Sequence, residues 1–330
     1  MAVLVRSFAK INIGLRIGAR REDGFHELRT IYQTLALHDV IKVEVGRGAG
    51  IEIFCEDARI PTDESNTCWR VTERVLKALK VRSRVRISIE KKLPVQGGMG
   101  GASSNGVATM LALEKALKRP LATAERLRIA AEVGSDLPLF LIGGTVLGTG
   151  RGEQVYAVED LPSFHCVTAT PTIGVSTPAA FAEWDKRKER GAKLTASRAS
   201  DRIGEFSHSV YEWLSGSRFT PTGVPDKGWD RAEALLLDLV RAGIENDFES
   251  VVFSKYPAIR EVKRALERSG ALYVSLSGSG STVYGLFHKK KAATDAAANL
   301  IDAGVPARAT VTLTRREYWN EIFPRIGRLD

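Results

Sequence analysis

The chain has 330 residues, 48 Lys plus Arg against 39 Asp plus Glu for a net charge of +9, and 44% apolar residues. That excludes disorder over most of the chain, and at ~150 residues per domain it predicts about two domains that need no disulfide or metal staples. The charge leaves nucleic acid, an anionic membrane surface and an anionic small substrate open as partners; a plain solvated surface competes, because the basic residues are dispersed or gathered in 185–231 and 289–291 without interleaved aromatics.

From Val3 to Ile17 apolar residues alternate (Val3, Val5, Ala9, Ile11, Ile13, Leu15, Ile17), with Ser7 the exception, which is strand periodicity. The other face carries Arg6, Lys10, Asn12 and Arg16, so Lys10 and Asn12 are expected to project together away from the core. The first residues have no charged leader ahead of a long apolar run, so no signal peptide is expected. Arg21 to Gly24 reads as a turn. Strands follow at 31–37, 40–45, 51–54 and 85–89, with a helix over 67–79. The glycine-rich segment from Pro94 to Gly106 feeds a helix over 107–117. A helix over 123–133 ends at Gly134, read as a C′ glycine. Ser135-Asp136-Leu137-Pro138 then opens a buried strand, since a residue before proline favours extended backbone. The most apolar stretch, 137–147, is about 11 residues and holds Pro138, Gly143 and Gly144, against ~20 for a bilayer span. No membrane span is expected.

Leu161-Pro162 marks a boundary, dividing the chain into 1–160 and 161–330. The second half mixes strands at 166–169, 274–276, 283–287 and 309–313 with helices at 229–241, 259–268 and 292–303. Residues 185–228, charged and punctuated by Gly and Pro, read as an insertion. Strand runs mixed with helix pairs, without regular alternation, predict an α+β fold.

Chemistry concentrates in a few places. Gly97, Gly98, Gly100 and Gly101 let backbone N–H groups approach a polyphosphate at a helix N-terminus, and Ser103 and Ser104 supply hydroxyls for phosphate or Mg²⁺. A flexible turn is the plainer alternative. No Lys-Ser/Thr pair follows the last glycine, so this is not a Walker A loop, and Ser103 stands in place of the third glycine of a dinucleotide fingerprint. A second loop, Ser277-Gly278-Ser279-Gly280, sits between two apolar strands and fits a tight hairpin as well as a ligand site. Asp136 is placed to orient a hydroxyl or merely to cap a turn, and Lys10 to act or merely to be solvated. The five histidines lack metal-ligand spacing, and no G-x-S-x-G elbow is present. Three cysteines, Cys55, Cys68 and Cys166, form no C-x-x-C pair and fit a reducing cytoplasm.

Taken in order, Ala9-Lys10-Ile11-Asn12, Pro94 through Ser104 and Ser277 to Gly280 resemble the GHMP small-molecule kinases. Arg21-Glu-Asp-Gly-Phe-His-Glu-Leu28, Gln33-Thr-Leu35, Ser135 to Phe140, Val175 to Pro178 and Asn246-Asp247 narrow the likeness to the branch acting on a cytidine diphosphate ester of methylerythritol, in the non-mevalonate route to isoprenoid precursors. The resemblance implies a two-domain fold, with an N-terminal domain like ribosomal protein S5 and a C-terminal α+β domain with an antiparallel sheet. It implies ATP and Mg²⁺ as cofactors, small-molecule partners without nucleic acid or membrane, a cytoplasmic location, and a monomer or homodimer. It assigns Lys10 and Asp136 to catalysis, and Asn66, Pro94, Gly97, Gly98, Met99, Gly100, Gly101, Ala102, Ser103 and Ser104 to ATP, with Mg²⁺ near Ser103 or Ser104. Asn12, Phe25, His26, Thr177 and Phe181 go to the substrate, Phe25 and Phe181 sandwiching the base and His26 meeting its edge.

Four residues depart from the family pattern: Phe8 for Pro, Phe25 for Tyr, Ala102 for Gly and Ser281 for Pro; 185–228 and the tail 315–330 lie outside it. A sibling kinase for mevalonate or homoserine is the near alternative, and an RNA-binding module the distant one.

Overall fold

The computed structural model describes residues 2–191, 203–210 and 244–324. Two sheets organise them. The first has six strands, β1 (Ala2–Arg20), β2 (His26–Gly46), β3 (Gly50–Cys55), β4 (Arg84–Glu90), β5 (Thr145–Thr149) and β6 (Gln154–Ala157), in the order β3-β4-β2-β5-β6 with β1 also paired to β2. All pairs are antiparallel except β3 with β4. Four helices accompany it: α1 (Thr67–Leu79), α2 (Gly101–Leu117), α3 (Thr123–Val133) and the single turn α4 (Leu137–Phe140).

The second sheet is antiparallel, β7 (His165–Ala169), β8 (Tyr273–Leu276), β9 (Val283–Phe287) and β10 (Ala307–Val311), in the order β10-β7-β9-β8. With it go α5 (Thr177–Gly191), α6 (Phe248–Lys255), α7 (Pro257–Arg268) and α8 (Lys290–Asp302), while α9 (Arg315–Glu321) returns to the first sheet. Residues 203–210 are helical. None of the described helices is long and apolar enough to cross a membrane.

β1 ties the whole together. Its residues enter three apolar clusters in succession: Val3, Val5 and Phe8 in the first, Ala9, Ile11 and Ile13 in the second, Leu15 and Ile17 in the third. The expectation that its even face meets water fails for this reason. Lys10 is 3% exposed and Asn12 1%, because α2 lies on one side of the strand pair and the second sheet on the other. Shifts of register at Phe8/Ala9 and Ile13/Leu15 bend the strand, the latter at Gly14, whose φ of +74° suits glycine.

Local chemistry sets the helix ends. Asn66 caps α1, its side chain accepting from Cys68 N at 2.8 Å, and Lys80 closes the helix in the left-handed region. α9 starts at a capping box between Thr314 and Glu317.

Several expectations are corrected. Residues 26–46 form one strand, not two. α2 begins at Gly101, so Ser103 and Ser104 stand within its first turn rather than in a loop. Gly134 has φ 179°, ordinary extended backbone, so it is not a left-handed C′ glycine. The segment from Asp136 is a helical turn and not a strand: Pro138 stands at the helix start, where its missing N–H costs nothing. β6, α5, α6 and α9 were not expected. The expected helix at 229–241 lies outside the described residues; of the proposed insertion 185–228, residues 185–191 end α5 and 203–210 are helical.

Candidate active site

The strand pair β1–β2 sets Asn12 opposite Tyr32 and Lys10 opposite Thr34. Lys10 Nζ donates to Asn12 Oδ1 at 2.6 Å and lies 3.4 Å from Asp136 Oδ2. Asn12 Nδ2 donates to Thr30 Oγ1 at 2.8 Å, which donates onward to the Gly14 carbonyl. The amide of Asn12 is therefore fixed, its oxygen toward the lysine. Asp136, at the start of α4, has a side chain 34% exposed, so one carboxylate meets both the buried lysine and the outside. Tyr32 donates its hydroxyl to Asp136 Oδ1 at 3.2 Å, and its ring lies 5.5 Å from Lys10 Nζ. Burial, and then the neighbouring Asp136 carboxylate, push the Tyr32 phenol well above its ordinary value, so it stays a proton donor in its hydrogen bond.

Both glycine loops reach this lysine. Lys10 N donates to Met99 O at 3.0 Å, and a methyl at Gly100 would stand 3.0 Å from Lys10 Cγ and 2.9 Å from Phe140 Cζ. Gly98 has φ +75°, and a methyl there would collide with the Ser277 carbonyl. Ser277 Oγ donates to Gly98 O at 3.0 Å and Thr282 N to Gly97 O at 3.2 Å, locking the two loops edge to edge. The first loop borders a cavity of about 400 Å³ lined by Pro61, Asn66, Lys91, Pro94 to Ser103 and Asn105, with the N-terminus of α2 at its wall. Gly97 to Ser103 all line it; Ser104 is buried, 2% exposed, and is absent from the wall. Asn66 lines the cavity with its side chain engaged by Cys68 N and by Pro61 O. A larger groove of about 1030 Å³ between α1 and β3 touches none of these groups.

The residues expected at the base are arranged differently from a Phe25–Phe181 sandwich. His26 stacks on Phe181, with centroids 5.0 Å apart and planes 7° from parallel; Phe181 meets Phe248 edge-on. His26 Nε2 is 2.8 Å from Asp185 Oδ1. Phe25 is 53% exposed with the Arg151 guanidinium 4.9 Å from its ring centre, and it makes no ring contact with Phe181. Thr177 Oγ1 lies 2.7 Å from Ser279 Oγ, joining α5 to the second glycine loop.

The sequence reading missed Tyr32, Thr30, Lys91 and Asp185. Tyr32 and Thr30 carry a signal, since they fall on the same face of β2 that pairs with Asn12, but only the register reveals it. Lys91 is held by Asp39 at 2.7 Å, while Asp39 also accepts from the Lys92 and Leu93 amides.

The cradle fits a polyphosphate with its metal. Glycines let the loop turn at positive φ and pack closely on Ser277, Lys10 and Phe140, α2 presents its amides at the cavity wall, and Ser103 adds a hydroxyl.

Comparison with known proteins agrees. Residues 66–144 match the GHMP kinases N terminal domain and 232–305 the GHMP kinases C terminal domain. The chain is 34% identical over 304 residues to 4-diphosphocytidyl-2-C-methyl-D-erythritol kinase of Rhodococcus jostii, covering 92% of this chain and 89% of the relative. It is 37% identical over 311 residues to the enzyme of the same name from Saccharopolyspora erythraea, covering 92% and 88%. A crystal structure of 4-(cytidine 5'-diphospho)-2C-methyl-D-erythritol kinase superposes with a TM-score of 0.68 at 28% identity, covering 94% of this chain and 99% of that one. Homoserine kinase from Cytophaga hutchinsonii, at 20% identity and a TM-score of 0.69 over 95% of each chain, shares the fold. The chain thus belongs to the GHMP kinases, ATP-dependent kinases of small molecules, and within them to the 4-diphosphocytidyl-2-C-methyl-D-erythritol kinase family.

Proposed function

We propose that the chain transfers the γ-phosphoryl group of ATP to the 2-hydroxyl of 4-diphosphocytidyl-2-C-methyl-D-erythritol, giving the 2-phosphate and ADP. The observation that carries the mechanism is the contact of Lys10 Nζ with Asp136 Oδ2 at 3.4 Å beside both glycine loops. Phosphoryl transfer needs chiefly positioning and neutralisation of spreading charge, and a fixed cation, a carboxylate and a rigid amide cradle supply these.

In this reading the α2 N-terminus and Gly97 to Ser103 hold the ATP phosphates. Mg²⁺ bound with ATP would be held near Ser103, the hydroxyl on the cavity wall, and would supply charge neutralisation at the phosphate oxygens. Asp136 accepts a hydrogen bond from the substrate hydroxyl and orients it toward the γ-phosphorus. Lys10, buried and steered by Asn12, places positive charge between nucleophile and phosphate. Asn12 also contacts the methylerythritol part. Phe25, His26, Thr177 and Phe181 take the cytidine end, with Phe25 closing over the base from its exposed position. Residues 1–160 then form the nucleotide-binding half and 161–330 the half carrying the second glycine loop. Cysteines without a disulfide support a cytoplasmic enzyme.

An ADP-release assay over a panel of alcohols tests this. Turnover with the cytidyl ester, and little with mevalonate or homoserine, is the expected result; faster turnover of mevalonate overturns it.

A further inference from the structure

Tyr32 belongs to neither the phosphate cradle nor the base site, yet the fold is shaped around it. It is 2% exposed, held opposite Asn12 on β1 and Val146 on β5. Two glycines make its space: a methyl at Gly148 would stand 2.5 Å from Tyr32 Cε2, and one at Gly152 would collide with the hydroxyl. A phenylalanine would fill the same space, so packing alone does not explain the hydroxyl. That hydroxyl is 3.2 Å from Asp136 Oδ1 and 3.5 Å from the Gly152 carbonyl, and the carboxylate is the closer acceptor.

We infer that Tyr32 is a positioning residue for phosphoryl transfer, its hydroxyl holding Oδ1 of Asp136 so that Oδ2 is presented beside Lys10 Nζ. This rests on the reading of Asp136 as the group that receives the substrate hydroxyl. Asp136 lies in a single helical turn and makes no cap hydrogen bond to that turn, so its rotamer is set by groups outside it. Two such groups face it, Lys10 from β1 and Tyr32 from β2, one on each oxygen. Charge on Glu153, ahead of β6, acts on the Tyr32 phenol in the same direction as Asp136 and keeps its proton in place. A carboxylate tethered at one oxygen has lost a rotation that a substrate would otherwise have to freeze, which is how a group remote from the reacting atoms changes kcat.

The experiment is the substitution Tyr32→Phe, which keeps the ring. The expected result is a fall in kcat of about tenfold, the scale of one hydrogen bond to a charged group, with KM for ATP and for the alcohol changed less than about twofold and the melting temperature nearly unchanged. In the Asp136→Asn background the same substitution should cost little further, since the interaction is already altered. A second readout needs no turnover: the ¹³C resonance of the Asp136 carboxyl, labelled in the full chain without substrate, should move in Tyr32→Phe. An unmoved resonance, or equal losses of kcat in both backgrounds, overturns the inference. Kinetics are run on whichever alcohol the unsubstituted chain phosphorylates fastest. Failure of the cytidyl ester as substrate therefore strikes the proposed function alone, while an unmoved resonance strikes Tyr32 alone.

Discussion

At the residue scale, the pair Lys10 and Asp136 carries the strongest consequence. Asp136→Ala removes the only carboxylate within ion-pair distance of Lys10 among the described residues and should lower kcat at least ~10²-fold in the ADP-release assay, with the fold intact by circular dichroism. Alternation in the sequence was enough to put Lys10 and Asn12 on one face, because side chains two apart in a strand must share it. It could not show that the face is buried, since its cover comes from far along the chain: Gly100 and Asp136 stand against Lys10, and Gly278 against both Lys10 and Asn12. Asp136 was legible as an acid beside a proline, while its hold by Tyr32 was not, because 104 residues separate the two. The cysteines offer an independent check. Cys68 and Cys166 are fully buried, and burial pushes the Cys68 thiol up to about 12 and the Cys166 thiol higher still, so neither forms a thiolate at neutral pH. A thiol reagent at pH 8 should titrate Cys55 alone in the native protein and all 3 cysteines after unfolding.

At the element scale, the glycine loop and the last helix make opposite demands. Gly98→Ala forces a methyl into the Ser277 carbonyl in a backbone region that L side chains avoid, so it should abolish measurable ATP turnover and lower the melting temperature by several degrees. Ala102, by contrast, stands in helix α2, where alanine is at ease, which explains why the departure from the family glycine is tolerated. α9 depends on its cap. Burial alone would raise the Glu317 carboxyl, but the Thr314 amide and hydroxyl and the Ser163 hydroxyl outweigh it and hold it below its ordinary value of 4.5. A depressed folded value means that the contribution is complete above about pH 4.5 and is lost as pH falls through the folded value. Stability measured by urea unfolding should therefore decline on acidification below about pH 5, and Glu317→Gln should flatten that decline. Thr314→Ala should cost about 1 kcal/mol in the same measurement. Most elements were readable because period and punctuation coincide, as at α1 and α3, where the expected bounds are those observed. The turn at 137–140 was not, since a residue preceding proline favours extended backbone only until a helix start accommodates the proline.

At the scale of the whole molecule, the two substrates of the proposed reaction are polyanions and the net charge is +9, so a positive field that aids their capture should show as a rise of KM for both between ~50 and ~500 mM NaCl while kcat holds. Steady-state kinetics at the two salt levels decide it. The division of the sheets near residue 160 is incomplete in one respect. Leu313, Tyr318 and Ile322 belong to the core of the first sheet, where Tyr318 lies 5.2 Å from Phe8, donates its hydroxyl to the Phe140 carbonyl, and is followed by Ile322 O accepting from Arg6 N. Phe8 and the tail, two departures from the family pattern, are thus halves of one contact. During synthesis the ribosome releases residue 8 long before residue 318. The core of the first half therefore stays incomplete, with Phe8 and Gly143 uncovered, until residues 313–322 have been made and pack against it.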